Sequence, residues 1–379
     1  MTRESYHCPQ CGRLIYYKGL CWECTAEQKR EKALALTREE VEEKQRYLIE
    51  NISSLKDRAE PEETYFWECL SYHGVISEKL QYAAAAAKAY ALPELYYKAP
   101  EEVRDTLIEE LLSTENAQDA SRLMVCLAMQ GDDKALETLQ ELKQHPREWR
   151  KKLYVDPDIY AQIGGWTFEE DGSRREINYP KCYSLEKPEK TGKRKERIVT
   201  IGKKGQEICP HCHGKVVDLL SIDGDAEEMQ FLGIPGKVTV TCCLSCIYEA
   251  APAAFGRFDE AGKGTADFPY PGAGKGEGEN EEYSWEEESY EELAACDLDI
   301  SVEERPVFYG ANDWEIGTIG GFAHWIQDCE IQTCPDCKKP MRYLAQLPWD
   351  VLMEGGGDGS LYIGVCPDCR RVSIQHQQT

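Results

Sequence analysis

Twelve of the eighteen cysteines in this chain of 379 residues stand in six Cys-x-x-Cys pairs, and that spacing constrains the fold more than any other feature. Two residues between thiols allow a tight turn that points both sulfurs at one ion. The pairs are Cys8/Cys11 with Cys21/Cys24, Cys209/Cys212 with Cys243/Cys246, and Cys334/Cys337 with Cys366/Cys369. Nine residues separate the first two pairs. Gly12, directly after Cys11, suits the positive φ that such a turn often needs. Six half-sites close into three sites of four cysteines, with zinc the expected ion. In a secreted protein so many cysteines would indicate disulfides; paired in this way in a reducing compartment, they indicate metal.

Ligand number then bears on the role of the ions. A catalytic zinc keeps one position open for water and often has His or carboxylate ligands. Four thiolates make a closed, electron-rich shell and a poor Lewis acid, so three structural ions are expected. His211 and His213 flank one knuckle and are alternative ligands, and Cys242 competes with Cys243. The residue three beyond Cys242 is Ser245, however, which favours the Cys243/Cys246 pair. Cys69, Cys126, Cys182, Cys296 and Cys329 read as small apolar residues.

Around the cysteines the texture of the chain changes several times, and the expected class is α+β and multidomain. Residues 1–25 form a zinc ribbon, and residues 26–150 have helical spacing. In that segment Glu27–Ala59 reads as one helix stopped by Pro61. Phe66, Cys69, His73, Ile76, Leu80, Ala83, Ala87 and Tyr90 read as one helical face. Val103, Leu107 and Leu111 mark the next helix, and Leu123 with Leu127 another that Gly131 closes. Asp132 or Asp133 caps the helix of Leu136, Leu139 and Leu142. The short turns are those of a HEAT-like stack.

Beyond Pro146 the pattern is β-type, with strands expected at Ile198–Ile201, Lys215–Leu220, Lys237–Thr241, Met341–Leu347 and Leu361–Val365. The basic run Glu186–Arg197 reads as a solvated hairpin tip, since no aromatic residues interleave with its charges. Residues 256–292, rich in Gly, Pro and Glu, read as a flexible loop or linker with an acidic end, between a first β-rich unit, 151–255, and a second, 293–379.

These two units align. Ile163-Gly164-Gly165-Trp166 matches Ile319-Gly320-Gly321-Phe322, and Leu219 and Leu344 each lie ten residues past the first Cys of a knuckle. Between the inner cysteines lie 30 residues in one unit and 28 in the other. The expectation is one β unit written twice, each copy pinned by one ion.

The C-terminal copy carries further residues: Gly320-Gly321, Trp325-Ile326-Gln327, Cys334-Pro-Asp-Cys337, Leu344-Ala-Gln346-Leu347, Gly357-Asp-Gly359-Ser-Leu-Tyr362 and Cys366-Pro-Asp-Cys369. In that order they resemble the bacterial YwqG-like family and the core shared by the eukaryotic programmed-cell-death-protein-2 relatives. The resemblance covers 305–379, extends more weakly over 151–250, and omits the ribbon and the helices. Ala323 departs from it, since the family commonly has Pro before the Trp. The resemblance implies a β-rich duplicated domain without established enzymatic activity. It implies chaperoning of a basic ribosomal protein by the eukaryotic members, and a role near toxin–immunity loci for the bacterial ones. It also makes the matching cysteines zinc ligands, and the Gly pair, Trp325 and Gln346 structural or client-facing.

Charge narrows the partners. The formal net charge is −25, and each four-thiolate zinc site adds about two more negative charges. Such a field repels phosphate backbones and anionic membranes and attracts basic proteins. The expected function is therefore non-enzymatic binding of a basic protein client, steered by the acidic run Glu277–Glu292. One alternative is an immunity protein covering a cationic toxin. Another is nucleic-acid binding through Arg3, Arg13, Tyr16, Tyr17 and Lys18 of the ribbon. For catalysis, the nearest candidates are His324, Asp313 and Cys329, which nothing orders as nucleophile, base and orienter. No signal-like run opens MTRESYHCPQC, and the alanine-rich Tyr82–Leu92 is too short to span a bilayer, so a cytoplasmic protein is expected.

Overall fold

The computed structural model describes residues 4–56, 59–153, 156–187, 196–248, 250–271, 287–353 and 359–378. The chain divides into two compact units, Met1–Leu92 and Pro93–Thr379, a division that falls inside the 26–150 helical stretch.

The first unit begins with the hairpin of β1 (Tyr6–His7) and β2 (Leu14–Ile15). It continues with α1 (Trp22–Leu34), α2 (Arg38–Glu50), α3 (Pro61–Tyr72) and α4 (Glu78–Ala87). The single helix expected over Glu27–Ala59 is broken. Thr37 starts α2 with a capping box: its hydroxyl accepts from the Glu40 N–H at 3.3 Å, and the Glu40 carboxylate accepts from the Thr37 N–H at 2.7 Å. Pro61 opens α3 instead of ending a helix, because an N–H at the first helical position would make no intrahelical hydrogen bond. The continuous face from Phe66 to Tyr90 is likewise interrupted. His73 and Gly74 (φ +65°) end α3, and Ser77 caps α4 by accepting from the Leu80 N–H.

The second unit opens with α5 (Glu101–Ser113), α6 (Ala117–Gln130), α7 (Asp133–Gln144) and α8 (Pro157–Ile163). Val103, Leu107 and Leu111 bury the inner face of α5, as their spacing requires. Gly131 closes α6 in the left-handed region (φ +66°), and Asp132 caps α7 by accepting from the Ala135 N–H at 3.0 Å. Helix α6 packs against both α5 and α8.

Three sheets follow. β3 (Trp166–Phe168) pairs with β4 (Arg174–Glu176). β5 (Cys182–Glu186) leads away to the largest sheet. β6 (Val199–Ile208), β7 (Lys215–Asp223) and β8 (Lys237–Cys243) form an antiparallel three-stranded sheet. The remaining strands are β9 (Ala254–Phe258), β10 (Gly264–Ala266), β11 (Asp299–Ile300), β12 (Thr318–Gly320), β13 (Arg342–Pro348), β14 (Ser360–Cys366) and β15 (Arg371–Gln377). With β5 they make an eight-stranded sheet in the order β10-β9-β15-β14-β13-β12-β5-β11. All five strands expected from the sequence are present. The three-stranded and eight-stranded sheets share one apolar core that includes Leu219, Val240, Leu344 and Ile363.

The described part of the supposed linker is folded. β9 and β10 form one edge of the large sheet, with Ala254 opposite Ile374, and the helix Glu287–Ala294 buries Tyr290 and Leu293. Glycine here marks close packing. A Cβ on Gly264 would lie 1.9 Å from the Thr241 hydroxyl, and one on Gly256 would lie 2.8 Å from the Thr265 carbonyl. The large sheet also draws β5 from the first of the two β-rich units read from the sequence. Residues 188–195 of the basic run and 277–286 of the acidic run lie outside the described residues.

Candidate metal centres

Each four-cysteine group is built on a turn dictated by its first knuckle. At Cys8 the backbone N–H donates to the Arg13 carbonyl at 2.8 Å, and the Gly12 N–H returns to the Cys8 carbonyl at 2.8 Å. Cys209 with Gly214 and His213, and Cys334 with Lys339 and Lys338, repeat both bonds at 2.8 and 3.0 Å. The fifth residue of each turn is left-handed: Gly12 (φ +76°), His213 (φ +59°) and Lys338 (φ +62°). Sequence reasoning found this at Gly12 and missed it at the other two. There a side chain occupies the conformation at about 1–2 kcal/mol, a cost that ion binding can offset.

The second knuckle of each group arrives differently. Cys21 caps α1, its sulfur accepting from the Cys24 N–H at 3.4 Å, so both sulfurs sit at the positive end of the helix. Cys243 ends β8 and caps the short helix Leu244–Ile247. Cys366 ends β14, and the Cys366–Cys369 turn leads directly into β15.

The twelve cysteines converge as their spacing requires. Within each of the three groups the sulfurs lie within 4.8 Å of one another. Representative pairs are Cys11–Cys21 at 3.6 Å, Cys209–Cys246 at 3.7 Å, Cys212–Cys243 at 3.3 Å and Cys337–Cys366 at 3.7 Å. A tetrahedral thiolate shell with metal–sulfur bonds of about 2.3 Å has edges of about 3.8 Å, whereas a disulfide requires about 2 Å. None of the eighteen cysteines is disulfide-bonded.

Electrostatics favour a cation at these points. Burial raises the Cys8 thiol, but N–H groups of Cys11, Cys21 and Gln10 outweigh it and bring it down to about 6, while burial pushes Cys24 up. The hydrogen bond from Cys246 draws Cys243 down to about 5, and that same bond raises Cys246. One thiolate forms readily in each of these groups, while Cys24 and Cys246 resist joining it until a positive ion offsets their repulsion.

His211 and His213 stay outside the groups, and so does the fully buried Cys242. Burial raises the thiols of Cys69 and Cys126, and pushes Cys182 to about 12, Cys296 to about 11 and Cys329 to about 12.

The other residues singled out in the sequence form a clamp. Gln346 is fully buried. Its carbonyl oxygen accepts from the His324 N–H at 2.9 Å, and its amide donates to the carbonyls of Asp313 (3.1 Å) and Ile316 (2.9 Å). The Nδ1 of His324 lies 2.9 Å from the Ala311 carbonyl. Trp325 stacks on Tyr362 with ring centres 4.4 Å apart.

The two knuckle hairpins agree in register. Residues eight and nine past the inner knuckle's first Cys (Val217 and Asp218; Arg342 and Tyr343) face those one and two before the outer knuckle's first Cys (Cys242 and Thr241; Val365 and Gly364). The next residue, Leu219 or Leu344, is the extra residue of a β-bulge. The Gly-Gly alignment does not hold in the same way. Ile163 ends α8 whereas Ile319 lies within β12, and only Gly165 of the first pair is left-handed, against both Gly320 and Gly321.

Fold and sites together define a mixed helix-and-sheet protein with three four-cysteine clusters able to hold metal ions. Over 292 residues, 76% of its length, the chain is 27% identical to "Uncharacterized protein YpfL" of Salmonella typhimurium (strain LT2), and the match spans 65% of that relative's length. No family model and no solved structure matches. Among the described residues no helix is long and apolar enough to cross a membrane.

Proposed function

We propose that the three clusters hold structural zinc and that the protein is a non-enzymatic, chaperone-like interaction protein for a basic protein client. The observation that carries this reading is the donor set: four thiolates in each cluster, which leave an ion no seat for a reacting molecule. The net charge of −25 favours a basic partner. The resemblance to the YwqG-like family and the programmed-cell-death-protein-2 relatives points the same way. We take the two knuckle hairpins as a duplicated unit, their common bulge being the support. Helices α1–α8, read as HEAT-like pairs, would offer further surface.

Elemental analysis of purified protein tests the metal, with three zinc equivalents expected per chain. Copurification of tagged protein from its native cell at low and at high salt tests the client. A basic protein is expected at low salt and its loss at high salt. Recovery of no basic partner at either salt overturns the reading.

One observation favours a second reading, single-stranded nucleic-acid binding by the ribbon. Tyr16, Tyr17 and Trp22 are exposed near Lys18, the combination of stacking faces and positive charge that such ligands use. Filter binding of a labelled oligonucleotide, falling with salt, would support it.

A further inference from the structure

A cleft of about 310 Å³ opens in the second unit where the end of α6, the turn before β3 and the start of β13 meet. Its charge is opposite to that of the chain. Arg174 and Glu176 lie on its wall as an ion pair and cancel. Arg342 and Lys98 also line it, and among the described residues neither is paired with a carboxylate.

The cations are held in place. The guanidinium carbon of Arg342 sits 3.7 Å from the ring centre of Tyr179, and its Nη2 donates to the Asn178 carbonyl at 3.3 Å. The backbone N–H of Lys98 donates to the Met129 carbonyl at 3.2 Å, and its Nζ lies 5.0 Å from the ring centre of Tyr97. Two buried groups on the lining residues lack a partner among the described residues: the Nε of Arg342 and the hydroxyl of Tyr179, a residue that is itself fully buried. Unpaired buried donors are costly, and an anionic oxygen satisfies both the charge and the donors. Tyr97 and Phe322, edge to face at 5.7 Å, add an apolar wall.

We propose that this cleft binds a small organic anion, a carboxylate or phosphate on a flat apolar body. Arg342 and Lys98 take the charge, and Tyr97 and Phe322 take the body. The site is independent of the client-binding reading, and neither falls with the other.

Isothermal titration of the full zinc-loaded chain tests it, with phenyl phosphate, benzoate and inorganic phosphate as probes and benzyl alcohol as the uncharged control. Saturable binding with a Kd of about 1 mM or tighter is expected for phenyl phosphate or benzoate, and none for benzyl alcohol. The stronger of the two shows which anion the site prefers. Lys98→Gln, at an exposed position, is expected to weaken binding several-fold, and Arg342→Gln about tenfold or more. Lys98→Gln alone decides the matter if Arg342→Gln lowers the melting temperature. No saturable binding of either aromatic anion overturns the proposal, as does binding that Lys98→Gln leaves unchanged. Equal binding of inorganic phosphate and phenyl phosphate removes the apolar wall from it.

Discussion

Leu219 and Leu344 hold the same place in two different sheets: each is the fully buried extra residue of a bulge, ten positions past the first Cys of a knuckle. The bulge turns one more side chain toward the shared core and bends the strand beside the metal cluster. Leu219→Ala and Leu344→Ala are each expected to cost about 3 kcal/mol in urea unfolding, and Leu→Met at either site less than about 1.5 kcal/mol. Equal costs at the two sites would match their common geometry.

Metal content can be dissected one cluster at a time. Cys337→Ser is expected to lower the zinc count by one, since its sulfur stands 3.7 Å from that of Cys366 in the cluster. Cys242→Ala is expected to leave the count unchanged despite its position beside Cys243. The ribbon, whose strands have two residues each, depends most on its ion. A structural zinc contributes on the order of 10 kcal/mol, so strong chelation should expose residues 4–25 to protease.

Gln346 satisfies three backbone groups from inside the sheet. Gln346→Leu would orphan them at about 2–4 kcal/mol. Gln346→Glu should be at least as damaging, because a carboxylate cannot donate to the carbonyls of Asp313 and Ile316. Denaturant unfolding measures both, and unchanged zinc content would separate the clamp from the clusters.

Asp132 caps α7 and pairs with Arg104, whose side chain is 8% exposed. Burial raises its carboxyl, but the Ala135 N–H and Arg104 outweigh that and hold it below the usual range. A depressed folded value means the stability is present above the unfolded value, about 3.9, and is lost as pH falls through the folded one. Asp132→Ala is expected to cost about 2–3 kcal/mol at pH 7. The gap between variant and parent should close in melting curves taken progressively below pH 4.

The knuckles were legible because a Cys-x-x-Cys turn is local: five or six residues close two hydrogen bonds and aim two sulfurs. The same holds for Gly131 and Asp132 at the α6–α7 junction, where the turn chemistry lies within four residues. Helix ends inside 26–90 were misjudged where a capping box or a proline at the first helical position outweighed the apolar spacing.

The sequence by itself determined the three clusters, their closed ligand sets and the strands that flank them, since each depends on neighbours in the chain. Only the tertiary structure decided that β5, β9 and β10 join one eight-stranded sheet, and that Arg342 comes to lie over Tyr179. Those pairings bring together residues more than a hundred positions apart, such as Ala254 and Ile374. Glycine-rich segments carry little periodicity, and what they pack against is set by backbone approach across the sheet.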